Sequence, residues 1–68
     1  MLFDEAKRQI VFFGKYTGKT IDKIAETDEG LKYLDWIVGQ DWLYDGTREA
    51  IKVYLADDTI KSELEKLL

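Results

Sequence analysis

The first cluster of apolar positions is Ile10-Val11-Phe12-Phe13, four β-forming residues ended by Gly14. An apolar run this short, bounded by glycine, reads as a strand. Tyr16-Thr17-Gly18 follows as a turn in which Gly18 is free to take a positive φ. Lys19 then begins a short return strand. The pattern predicts a tight two-stranded β-hairpin, which is marginal in water until helices pack on it.

Beyond Thr20 the spacing becomes helical. Ile21, Ile24 and Ala25 suit a helix of about two turns with Thr20 as its N-cap. Asp28 is placed to cap a second helix, residues 29–38, that is apolar nearly all round. Leu31, Leu34, Ile37 and Val38 share its broad face, Tyr33 and Trp36 lie on the far side, and Lys32 and Asp35 form a narrow polar stripe. Such a helix is normally central, so Leu34 and Trp36 are expected in the core. Gly39 is expected to close it. Residues 41–46 form a connection whose Trp42, Leu43 and Tyr44 fold back over the core. Thr47 is expected to cap a third helix, with Ala50, Ile51, Tyr54 and Leu55 inward. Asp58 or Thr59 begins a last helix over residues 59–68, striped with Ile60, Leu64, Leu67 and Leu68. The expected fold class is α+β: a short two-stranded hairpin packed against three to four α-helices.

The 68 residues hold one domain, 1–68, and a chain of that size buries only about 60% of the surface it exposes unfolded. Small domains commonly add disulfides or a metal, but this chain has neither Cys nor His. That composition removes disulfides, thiolate and imidazole chemistry, and the usual zinc ligands. What remains is an aromatic core, from two Trp, four Tyr and three Phe, together with self-association. The stripe Ile60, Leu64, Leu67 and Leu68 either folds back on its own chain or pairs with a second copy, and a homodimer is the favoured expectation. No apolar run is long enough for a membrane helix, and the start Met1-Leu2-Phe3-Asp4-Glu5 does not resemble a signal peptide. A cytoplasmic location is expected, the host cytoplasm if the chain is viral.

Charge is segregated along the sequence. The net charge is −4, but Lys7 to Lys23 carries five bases against Asp22, and Glu26 to Glu49 carries seven acids against Lys32 and Arg48. Local sign governs what docks on one face, so the basic end is where an anion would be met. Within it, Gly14-Lys15-Tyr16-Thr17-Gly18-Lys19-Thr20 superficially suggests a P-loop. The spacing refutes that reading, because three residues stand where a P-loop needs four between its first Gly and Gly-Lys-Thr. The adjacent acids Asp28-Glu29 and Asp57-Asp58 fall where helix caps are needed. No set of residues here makes a catalytic constellation, so no enzyme, cofactor, metal site or small-molecule substrate is expected. The candidate nucleic-acid contacts are Lys15, Tyr16 and Lys19 in the loop, with Arg8 and Lys23 beside them. Tyr16 sits at a turn between lysines, placed to stack on a base.

The residues Phe13-Gly14-Lys15-Tyr16-x-Gly18-Lys19-Thr20, then Glu26, Asp28, Tyr33-Leu34-x-Trp36-Ile37 and Ala50-Ile51-x-x-Tyr54-Leu55, resemble the exodeoxyribonuclease X-like C-terminal domain family. The resemblance covers residues 10–55. The connection 40–47 is shorter than that family's, and the helix at 59–68 lies outside the match. The resemblance implies a small accessory domain of proofreading-type exonucleases, one that also stands alone in phages, viruses and mobile elements. It implies a role near DNA through Lys15, Tyr16 and Lys19, with weak, non-specific binding. The exonuclease domain and its metal-binding acids have no counterpart in this sequence, so nuclease activity is not implied. The expectation is a non-catalytic accessory module in DNA replication or repair. The alternative is an interaction or self-assembly module that tethers a replication protein without touching nucleic acid.

Overall fold

A computed structural model describes all 68 residues and is all-α. Five helices succeed one another: α1 (Phe3–Lys7), α2 (Ile21–Ile24), α3 (Asp28–Ile37), α4 (Asp45–Leu55) and α5 (Asp58–Leu67). A single 3-10 turn, Gly14–Tyr16, lies between α1 and α2. The expected α+β class is therefore corrected, since the hairpin does not form.

Its remnant is one isolated antiparallel bridge, Ile10 to Thr20. The Val11 N–H donates to the Lys19 carbonyl at 2.9 Å, and the Gly18 N–H donates to the Val11 carbonyl at 2.7 Å. Pairing then stops, because the Lys19 N–H turns inward to the Tyr16 carbonyl at 3.0 Å. Between these points the chain leaves the extended conformation, with Gly14 at φ +70° and Gly18 at φ +87°. Phe13 and Tyr16 pack against the helical core, where a regular strand would alternate them. Packing of the loop onto helices has outweighed β-propensity, which is a weak determinant in a two-stranded ribbon.

The helices begin close to where the sequence places them, although their caps shift. The Thr20 hydroxyl accepts from the Lys23 N–H at 3.1 Å, as expected. The second cap is Thr27, whose hydroxyl accepts from the Gly30 N–H at 3.0 Å, so Asp28 becomes the first helical residue. The third helix starts at Asp45 with no side-chain cap, leaving Thr47 inside it. For α5 the cap is Asp57, whose carboxylate accepts from the N–H groups of Thr59 and Ile60. Gly39 takes no left-handed conformation, and Val38 ends α3. Helix α1 was not foreseen. It is short and charged, and it is held by packing, with Ala6 buried and the Phe3 ring stacked 5.2 Å from Tyr54. A helix of five residues has no standing without such contacts.

The core gathers Ile21 and Ile24 from α2, Leu34 and Ile37 from α3, and Ala50, Ile51 and Tyr54 from α4, with Val11 and Leu43 from the connections. Gly30 permits the tightest approach. A Cβ there would lie 1.8 Å from the Ile24 carbonyl oxygen, so only glycine lets the end of α2 cross the first turn of α3. Leu34 is fully buried as expected, but Trp36 is 57% exposed. Its position on the far side of α3 from Leu31 and Leu34 decided that, and the loop that packs on Tyr33 leaves most of the indole uncovered.

Candidate nucleic-acid interface

The loop after Val11 is seated against α3. Gly14 brings its backbone close to the Tyr33 hydroxyl, where a Cβ would lie 2.8 Å away. This places Tyr16 with its ring centroid 4.9 Å from Tyr33 at a 54° tilt. Tyr33 in turn lies 6.0 Å from Trp36. Three rings thus run from the loop along the outer side of α3. A second pair stands on the following connection, where Phe13 meets Trp42 edge-to-face at 5.4 Å and Trp42 is 60% exposed.

Trp42 is presented by a fastened connection. Leu43 beside it is buried. Arg48, from the first turns of α4, donates to the carbonyls of Val38 and Gln40 and pairs with Asp45 at 2.9 Å. Those carbonyls belong to the end of α3 and the residues just beyond it, which lack helical partners. One guanidinium therefore closes α3 and fixes the loop that carries the indole.

Lys15 and Lys32 flank this aromatic run. The Lys15 ammonium lies 5.3 Å from the Tyr16 ring centroid and forms an ion pair with Glu29 in the first turn of α3. The hydrogen bond it donates to the Glu29 carboxylate holds the Lys15 ammonium above its usual pKa, and Lys15 holds the Glu29 carboxyl below its own. Partial burial, and after it the neighbouring Tyr16, raises the Tyr33 phenol. Lys32 is exposed one helical turn before Trp36, on the same side of α3, with no ion-pair partner.

Of the five expected contact residues, Lys15 and Tyr16 join this face. Tyr16 is half-buried against Tyr33, not displayed freely at a hairpin tip. Lys19 is exposed at the base of the loop and free of ion pairs. Arg8 ends α1 and is exposed, and the neighbouring Gln9 carbonyl accepts from the Ile21 N–H at 2.9 Å, so Arg8 stands beside the start of α2. Lys23 on α2 is paired with Glu26 at 3.4 Å. Arg8, Lys19 and Lys23 thus lie around the base of the loop. Trp36 and Trp42 were missed as surface residues, and Lys32, expected on the polar stripe, was missed as a neighbour of the rings. A signal for Trp36 was present in its helical angle, opposite the leucine face.

The leucine stripe is used within the chain. Leu64 is buried and Ile60 packs on the core, Leu67 is half-buried, and only Leu68 is largely exposed. No helix is long and apolar enough to cross a membrane.

Comparison of the chain with protein-family models, curated proteins and solved structures finds no significant match.

Proposed function

We propose that this protein is a non-catalytic accessory module that holds a short stretch of single-stranded nucleic acid, in the service of DNA replication or repair. Bases stack on Trp36 and the rings beside it, and Lys15 and Lys32 meet the phosphates, with Lys19 supplying a further charge at the loop base. The observation that carries this reading is the exposure of Trp36 at the end of the Tyr16–Tyr33–Trp36 run. A large ring is left uncovered one helical turn beyond the exposed Lys32. Stacking on an aromatic side chain contributes about 1–3 kcal/mol per base and tolerates any sequence.

The resemblance of residues 10–55 to a replication-associated domain supports the same reading. Two to four phosphates are within reach of so few lysines, so affinity is low and falls with salt at a log–log slope of roughly −1.5 to −3.5. No helix here is built to read a groove, so sequence preference is slight. The test is a titration with oligothymidylate followed by indole and amide NMR shifts. Shifts concentrated at Trp36, Trp42, Lys15 and Lys32 support the interface, and shifts scattered over the molecule or absent from it dismiss it.

The second reading, an interaction module, is favoured by a separate observation. Lys15 is already engaged by Glu29, and Asp41 adjoins the exposed Trp42. Repulsion from those acids weakens the nucleic-acid reading but leaves a protein partner unaffected.

A further inference from the structure

Helices α3, α4 and α5 meet around an open groove of about 380 Å³, the one cavity of the molecule. Its floor is apolar, made by Val38, Leu55, Ala56 and Leu64. Its rim carries Lys52 from α4 and Lys61 from α5, with Asp35 of α3 as the only acid. The ion pairs of the molecule use Lys7, Lys15, Lys23 and Arg48, so neither rim lysine is neutralised. In a chain with net charge −4, two unpaired lysines against one acid give the rim over this apolar floor a net positive charge.

We propose that this groove docks an acidic segment of a partner protein, with its carboxylates at Lys52 and Lys61 and a leucine-sized side chain on the floor. Charge complementarity selects an acidic partner, and Asp35 disfavours a carboxylate at its own side of the rim, which orients the segment. The open mouth suits a segment laid across it, since small-molecule sites enclose most of their ligand. The groove is distinct from the aromatic face. At about 100° per residue, Asp35 and Val38 point roughly 160° away from Tyr33 and Trp36 respectively. A partner could therefore be held on one side of α3 while the other side remains free.

The test uses the full chain and a synthetic peptide of repeated Glu-Glu-Leu, with Gln-Gln-Leu and Glu-Glu-Ser counterparts, followed by amide NMR shifts. Shifts should gather at Val38, Lys52, Leu55 and Lys61, and both counterparts should bind about tenfold more weakly or worse. The Lys52→Glu, Lys61→Glu double variant should lose about tenfold or more in affinity with its circular dichroism unchanged. If that variant fails to fold, the single Lys52→Gln and Lys61→Gln variants should each weaken binding severalfold. Oligothymidylate binding should be the same in these variants as in the parent chain. The proposal is overturned if the Glu-Glu-Leu peptide causes no shifts, shifts the aromatic face instead, or binds no better than Glu-Glu-Ser. It is equally overturned if the groove responds only to anionic lipid vesicles or only to a second copy of the chain.

Discussion

The Lys15 ammonium sits against the Tyr16 ring and is paired with Glu29, so one lysine ties the loop to the first turn of α3. The pair does two things at once. It fixes the Tyr16–Tyr33 contact, and it occupies a cation that a phosphate would otherwise meet.

Removing the acid should therefore expose the competition. Glu29→Gln is expected to raise oligonucleotide affinity and steepen its salt dependence, because Lys15 becomes free to neutralise a phosphate. Both side chains of the pair are exposed, so thermal stability should barely change. Polarisation titrations of parent and variant at two salt concentrations measure this. Unchanged affinity would place Lys15 outside the contact.

The two large residues of the 34–36 segment should behave oppositely on truncation. Leu34 is fully buried, and Leu34→Ala should cost about 2–5 kcal/mol, a large fraction of what a small domain has. Trp36→Ala should cost only about 1 kcal/mol, mainly its contact with Tyr33. Denaturant unfolding of both variants checks the order, and a Trp36 effect as large as that of Leu34 would return the indole to the core.

Alkaline pH should destabilise the protein through Tyr54. Its phenol is pushed from 10.0 up to about 12 by burial first and then by Asp22, whose carboxylate lies 3.5 Å from the hydroxyl. The neutral phenol is the form the fold favours. Its contribution is therefore whole below pH 10 and is lost as pH rises toward 12. Tyr54→Phe should keep most of the stability at neutral pH and flatten the alkaline slope. Melting temperatures at several pH values distinguish the two chains.

The helices were legible because their apolar spacing is strong. Leu31, Leu34 and Ile37 in α3, and Ala50, Ile51 and Tyr54 in α4, define faces that survive any small error in the caps. The hairpin was misread because Ile10 to Phe13 has β-forming residues without the partner strand that would use them. Its register depends on where Phe13 and Tyr16 find cover, and that cover comes from α3 and the Trp42 connection, distant in sequence. Helix α1 was invisible for a similar reason, since Phe3 meets Tyr54 across the length of the chain. Part of the candidate site was legible in Lys15 and Tyr16. Trp36 was drawn into the core by its apolarity although its angle on α3 pointed outward, and Lys32 was hidden in what looked like a solvated stripe.

The most direct measurement of the central claim is intrinsic tryptophan fluorescence during titration with unlabelled oligothymidylate near 50 mM and 200 mM salt, values chosen to span the usual counterion response. Stacking on Trp36 predicts saturable quenching that weakens with salt, is reduced in Trp36→Ala more than in Trp42→Ala, and is stronger for single strands than for duplex. No saturable quenching at the lower salt, or quenching that survives Trp36→Ala undiminished, would contradict it.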